Sequence, residues 1–134
     1  MLEAAVRVPP VNPLYSERLL AHFQSPQNAG EIASPDLIAD AENPACGDRL
    51  RLTVRLVEGR FAEVRFQAKG CTASIAAGSA LTVWLTGMGI EEVAKVGDAA
   101  VRQAVEEELG GLPPASRHAA VLCADAVRLL LQSR

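Results

Sequence analysis

The sequence predicts an α+β domain in which a small antiparallel sheet of about three strands is covered on one face by four to five helices. Three observations lead there. Arg49 to Val57 places Leu50, Leu52, Val54 and Leu56 opposite Arg49, Arg51, Thr53 and Arg55, and Arg60 to Lys69 places Ala62, Val64, Phe66 and Ala68 opposite Glu63, Arg65, Gln67 and Lys69. Period-two alternation with one apolar and one charged side marks a sheet buried on one face only. At Cys71 the pattern changes to a helical one rich in small residues, and helical segments separated by Gly and Pro breakers fill the rest of the chain.

With 134 residues the chain is most simply one domain, assigned to 13–134, preceded by a flexible arm over 1–12 that contains Pro9 and Pro10 and no periodicity. Charged residues make up 22% and the net charge is −3, so there is no basic stripe, and five aromatics give little stacking surface for nucleic acid. No apolar run is long enough to span a bilayer, and Met1 to Pro13 lacks the apolar core of a secretory signal. The expected location is the cytoplasm. Thiols stay reduced there, so the three cysteines read as ligands, nucleophiles or core fillers rather than bridges.

The elements follow in order. Pro13 suits a first helical position, and Tyr15, Leu19 and Phe23 form one apolar stripe of a helix that Ser25-Pro26 ends. His22 in that helix reads as a surface residue. Asn28-Ala29-Gly30 is a turn, and Leu37-Ile38-Ala39 is a short strand between Pro35 and Pro44. The helix from Cys71 to about Thr86 takes its bulk from Ile75, Leu81, Trp84 and Leu85. Gly87-Met88-Gly89 stops it, Ile90 to Val96 is a short helical piece, and Asp98 caps a helix through Leu109 that Gly110-Gly111 closes. Leu112-Pro113-Pro114 leads into a last helix over 114–132, whose apolar face is Val121, Leu122, Ala126, Leu129 and Leu130.

The register of the hairpin follows from its phase. Leucines must face the same side as Val64 and Phe66, so paired residue numbers must sum to an even total. A two-residue Glu58-Gly59 turn gives an odd sum, whereas a three-residue loop Val57-Glu58-Gly59 gives an even one. The latter pairs Leu50 with Phe66, Leu52 with Val64, and Cys46 with Gly70. Cys71 then lies beside Cys46 at the open end, and Cys46 and Asp48 both point to the buried face.

Cys46, Asp48, Cys71 and His118 are the candidate ligands, four donors of types that zinc accepts, and thiolates also suit iron–sulfur clusters. The register gathers the first three; spacing alone does not bring His118. A structural reading stands beside this one. Cysteine often fills cores, Asp48 can form a turn, and His118 can bond a neighbour at a helix start. Only convergence of all four would count against it. Cys123 shares a helix face with Ala119, Ala126 and Leu130 and reads as a core filler.

At these residues the sequence resembles the IscU/NifU-N family of iron–sulfur cluster assembly scaffolds, which includes the SufU branch. The likeness spans about Leu14 to Leu131. It rests on five motifs in order: Tyr15-Ser16-Glu17 through His22-Phe23, Ser25-Pro26-Gln27-Asn28-Ala29-Gly30, Asn43-Pro44-Ala45-Cys46-Gly47-Asp48, Gly70-Cys71-Thr72-Ala73-Ser74, and Leu112-Pro113-Pro114 before His118. The resemblance implies an IscU/SufE-like α+β fold and a site of Cys46, Cys71 and His118, with Asp48 tuning or ligating. It implies zinc or a transient [2Fe–2S] cluster as the bound group. It also implies a cysteine desulfurase as sulfur donor, apo-proteins as recipients, and a chaperone at the Leu112-Pro113-Pro114 segment. Family scaffolds carry a third cysteine, directly after the histidine in the IscU branch; here that position is Ala119, and Cys123 lies one turn further on. Gln27 stands where an arginine is usual, and Ala115-Ser116 replaces the Val-Lys that follows Leu-Pro-Pro, so the chaperone motif is incomplete.

A persulfide acceptor needs a thiolate favoured by a helix N-terminus or a cation. Cys71 has the helix and Cys46 has Arg49 nearby, so both are candidates. The expected function is a scaffold or sulfur carrier rather than a turnover enzyme. The alternative is a divergent IscU-like regulatory or desulfurase-interaction module that no longer transfers. A zinc enzyme ranks lower, because no general base is left over once the ligands are assigned.

Overall fold

A computed structural model describes residues 15–134; the expected arm over 1–12, and Pro13 with it, lie outside the described residues. The first described helix, α1 (Glu17–Gln24), starts later than Pro13 because Ser16 is its N-cap. Its backbone is extended and its hydroxyl accepts the Leu19 N–H. The same hydroxyl donates to the Leu109 carbonyl, tying the start of α1 to the far end of another helix. Ser25 closes α1 before Pro26, as expected.

The stripe on α1 differs from the predicted one. Leu19 is buried, but Phe23 is exposed and its expected place is taken by His22. His22 is a buried clasp rather than a surface residue: Nδ1 lies 2.7 Å from Ser79 Oγ and Nε2 lies 3.1 Å from Glu108 Oε2. Glu108 accepts at Nε2, so in the neutral ring Nδ1 accepts from the Ser79 hydroxyl, which itself accepts the Gln27 N–H at 2.7 Å. Three segments are joined in this way, and a buried polar ring stands where an apolar stripe was expected.

The sheet has the order β1 (Leu37–Glu42), β2 (Arg49–Val57), β3 (Arg60–Lys69), all antiparallel. Its inner face carries Leu37, Ala39, Ala41, Leu50, Leu52, Val54, Val64 and Phe66, all buried. On the outer face Arg51 bridges Asp40 and Glu31, while Thr53 is buried because its hydroxyl accepts the Ile32 N–H from a segment crossing that face. After α1 the chain bonds to the free edge of β3, Gly30 donating to Phe66 O and Phe66 to Asn28 O.

The hairpin register corrects the expected one. The connection is a two-residue turn with Glu58 at φ 52° and Gly59 at φ 75°, the left-handed pair that a tight hairpin turn requires. Val57 pairs with Arg60 and Leu56 with Phe61, an odd sum. Between Arg55 and Leu56 a bulge inserts Ala62, after which Arg55 pairs with Glu63, Val54 with Val64, Leu52 with Phe66 and Leu50 with Ala68. The phase condition is therefore met by a bulge rather than by a longer loop. It turns Phe61 fully inward and Ala62 outward, the reverse of the predicted face. The expected pairs Leu50–Phe66, Leu52–Val64 and Cys46–Gly70 do not form, and β2 begins only at Arg49.

Helix α2 (Thr72–Leu85) lies against β3, and α5 (His118–Gln132) lies against β1 and β2. The short α3 (Ile90–Lys95) starts beside the β2–β3 turn, its Ile90 N–H donating to Gly59 O, and α4 (Asp98–Glu108) packs on both α2 and α5. Gly97 rather than Asp98 is the N-cap of α4, and Asp98 is its first residue. The last helix starts at His118 rather than 114, because Pro114–Ser116 form a separate 3₁₀ turn. On α5, Val121 is exposed while Leu122, Ala126 and Leu130 are buried as predicted. Ala73, Ala76, Ala77, Gly78, Ser79 and Ala80 are all buried, so α2 approaches the sheet backbone-close.

Gly78 sets that distance: a Cβ there would lie 2.6 Å from Phe66 Cδ2 and 3.2 Å from Leu50 Cδ1. Alanine favours helix over glycine by about 1 kcal/mol, but overpacking against a buried ring costs about 1–3 kcal/mol. Gly78→Ala is therefore expected to lower stability in urea unfolding, and a stabilised variant would contradict the packing described.

Candidate metal centre

Three chain segments, two of them helix starts, meet at one end of the sheet. The loop joining β1 to β2 is folded on Asn43, whose carbonyl accepts from Gly47 N–H, whose side chain accepts from Ala45 N–H, and whose own N–H donates to the Asp48 carbonyl. This loop leaves Cys46 exposed at its tip and turns Asp48 inward, to 6% exposure. Cys46 is thus not on the buried face, as regular alternation had suggested; a strand-like phase does not extend into the loop. Arg49 lies 3.6 Å from Glu42 Oε2, so the cation expected to serve Cys46 has its own partner.

Where β3 gives way to α2, Gly70 has φ 150° and lies directly against Asp48: a Cβ on it would stand 2.4 Å from both Cγ and Oδ1. Cys71 follows as the N-cap of α2, half-buried, with no cap bond from its side chain. Its Sγ lies 3.3 Å from Asp48 Oδ2, 3.4 Å from Ser74 Oγ and 3.5 Å from His118 Nε2. His118 opens α5, and its Nε2 is 3.6 Å from Asp48 Oδ2. The ligand atoms of Cys46, Asp48 and His118 lie within 4.8 Å of one another. The four predicted residues therefore converge, His118 included, which spacing alone had not established.

Electrostatically the centre of this group is Asp48. Burial would raise its carboxyl, but hydrogen bonds from Ser74, from the Cys71 side chain and backbone, and from Cys46 outweigh burial and hold it below the ordinary carboxylate range. Cys123 is elsewhere: it is 1% exposed on the inner side of α5, and burial pushes its thiol far up, into an inert protonated state. Ala119, next to His118, is fully buried. Ser74, the last residue of the Gly70-Cys71-Thr72-Ala73-Ser74 motif, has no role assigned to it from the sequence, yet its hydroxyl donates to Asp48 Oδ2 at 2.7 Å. The available signal was its place three residues after Cys71, on the same side of the first helical turn.

A one-faced antiparallel sheet covered by helices, with two thiols, a carboxylate and an imidazole at one end, defines an α+β domain with a cysteine-centred donor cluster. Residues 14–132 match the family of the NifU-like N-terminal domain, and the chain belongs to it. It is 39% identical over 115 residues to the iron-sulfur cluster assembly scaffold protein IscU of Archaeoglobus fulgidus, spanning 86% of this chain and 72% of that protein. It is 30% identical over 118 residues to IscU of Escherichia coli, spanning 85% and 88%. In fold it is similar to a proposed iron–sulfur cluster assembly scaffold of the SUF system from Fervidobacterium islandicum, with TM-score 0.71, 16% identity, and coverage of 91% of this chain and 99% of that one. Among the described residues no helix is long and apolar enough to cross a membrane.

The contact between Gly70 and Asp48 generates a direct test. Gly70→Ala is expected to force the Asp48 carboxylate out of its donors and to lower stability by about 1–3 kcal/mol, the cost of a buried acceptor losing its partners. A urea midpoint equal to that of the parent protein would show that the corner yields without moving Asp48.

Proposed function

We propose that this domain is an iron–sulfur cluster assembly scaffold that accepts sulfur from a cysteine desulfurase, holds zinc or a [2Fe–2S] cluster on Cys46, Asp48, Cys71 and His118, and passes the cluster to recipient apo-proteins. One observation carries the reading. Donors bound to zinc at about 2.0–2.3 Å and at tetrahedral angles stand roughly 3.3–3.8 Å apart. Cys71 Sγ, Asp48 Oδ2 and His118 Nε2 are separated by 3.3, 3.5 and 3.6 Å. Three vertices of such a site are thus prearranged, and Cys46, within 4.8 Å of two of them, supplies the fourth from a loop. The names of the relatives support the assembly role.

The residues divide the work by exposure. Cys46 sits at a loop tip where another protein's persulfide can reach it. Its thiolate would attack the outer sulfur, the donor's S–S bond would break with the electron pair leaving on the donor cysteine, and a Cys46 persulfide would form. Cys71, half-buried at the start of α2, is the second acceptor candidate and the anchoring thiolate. Asp48 and His118 give the site an oxygen and a nitrogen donor beside two sulfurs. Cargo held by such mixed ligation exchanges more readily than cargo on four thiolates, which suits transfer. Cytoplasmic location fits reduced cysteines of this kind.

A second reading is favoured by Ala119. With no cysteine there and Cys123 sealed in the core, the chain could bind a desulfurase as a regulatory module without transferring sulfur.

Anaerobic reconstitution with iron and sulfide is expected to give a [2Fe–2S] absorbance spectrum, and the protein as purified is expected to carry up to one zinc per chain. Cys46→Ser and Cys71→Ser abolish both, and Cys123→Ala changes neither. A metal-free protein that also fails reconstitution sinks the proposal, and loss of binding in Cys123→Ala would overturn the assignment of that thiol to the core. Incubation with a cysteine desulfurase and cysteine should add 32 Da to the peptide carrying Cys46 by mass spectrometry. Desulfurase binding without any persulfide on Cys46 or Cys71 would select the second reading.

A further inference from the structure

We propose that Ser74 is the positioning residue of the metal site: its hydroxyl selects which oxygen of Asp48 faces the Cys71 sulfur and the imidazole, and so sets the affinity of the site. The inference rests on the ligand assignment above and goes beyond it to a residue that binds nothing itself.

Ser74 is in the first turn of α2 and 1% exposed, so its hydroxyl has no water to turn to. Serines near helix starts commonly bond local backbone. This one reaches 26 residues back along the chain to donate to Asp48 Oδ2 at 2.7 Å. Oδ2 is also the oxygen within 3.3 Å of Cys71 Sγ and 3.6 Å of His118 Nε2. A carboxylate oxygen has two lone-pair directions. With one accepting from Ser74, the other is left for the Cys71 thiol, 3.3 Å away, or for a metal ion in the place of its proton. The second oxygen, Oδ1, lies against Gly70, where even a Cβ would stand only 2.4 Å away. Rotation of the carboxylate is opposed on both sides, by a donor at Oδ2 and by backbone at Oδ1. Asp48 is therefore held as a single-oxygen donor in a fixed place. Ser74 Oγ is also 3.4 Å from Cys71 Sγ, so an effect through Asp48 must be separated from one through the thiol.

The test is a competition titration of zinc against a chromophoric chelator, run on the full chain and on Ser74→Ala, Ser74→Thr, Asp48→Ala and the Ser74→Ala/Asp48→Ala double variant. Removing an outer partner of a ligand typically costs 10–100-fold in metal affinity. Ser74→Ala is expected to show a loss of about that size, together with a lower metal-free stability because buried Asp48 loses a donor. Ser74→Thr, which keeps the hydroxyl, is expected to recover most of the affinity. On the Asp48→Ala background the serine substitution should no longer matter. Affinity unchanged in Ser74→Ala overturns the proposal. So does a loss that persists undiminished without Asp48, or a threonine variant as weak as the alanine one. If the parent protein itself binds no zinc, this inference falls, and the ligand assignment falls with it where cluster reconstitution fails as well. If the parent binds and only the serine series fails, the ligand assignment stands and the role of Ser74 does not.

Discussion

The close approach of α2 to β3 is the constraint on which the rest of the molecule depends. Gly78 brings the helix backbone against the Phe66 ring, and the alanines around it extend that contact along the helix. A helix seated this deeply has no freedom of height or rotation, because interiors packed at crystal-like density transmit any shift to their neighbours. Its first turn is consequently held against the end of the sheet, and with it Cys71 and Ser74. The polar ring of His22, Ser79 and Glu108 works to the same end. It fixes α1 across α2 and α4 from a fully buried serine one residue after Gly78. Close packing and the buried hydrogen bonds are therefore two parts of one arrangement, and the site lies at the end of the helix that both hold.

The elements were legible in the sequence because their signals are local. Alternation marked β2 and β3 to the residue, and small residues bounded by Cys71 and Gly87 marked α2. The register was not legible. A phase argument assumes an unbroken ladder, and the bulge at Ala62 breaks it within four residues of the turn. The even-sum condition was correct for Leu52 and Phe66, but the device that satisfies it was misassigned. His22 shows a different limit. Its partners are 57 and 86 residues away, so nothing in α1 distinguishes it from an exposed histidine.

The candidate site divides along the same line. Cys71 could be placed from the helix start alone, and Asp48 from its position ahead of β2. Cys46 was placed near them by a register that does not exist, and the loop folded on Asn43 brings it there instead. His118 could not be placed by spacing, since a 3₁₀ turn and a proline pair set where α5 begins; the family resemblance placed it, and the structure brings it within 3.5 Å of Cys71. Ser74 was invisible as a site residue because a serine among alanines in a helix reads as packing.

The positions of Ala119 and Cys123 show why the histidine at the start of α5 cannot be treated as half of a missing pair. Both residues are buried, one turn apart on the same face of α5. A sulfur at position 123 would need roughly 6 Å of travel along the axis to reach the level of position 119, which means withdrawing the helix from the sheet through a full turn of packed residues. Its thiol is also held protonated by burial, the opposite of what a ligand or nucleophile requires. The sulfur chemistry open to this chain is therefore that of Cys46 and Cys71, one reachable from outside and one anchored at a helix start. On the proposed ligand set, the carboxylate between the helix starts would take on the weight that a third thiolate would otherwise carry. On that assignment the hydrogen bonds converging on Asp48, rather than the cysteine count, would decide how firmly the site holds a metal or cluster.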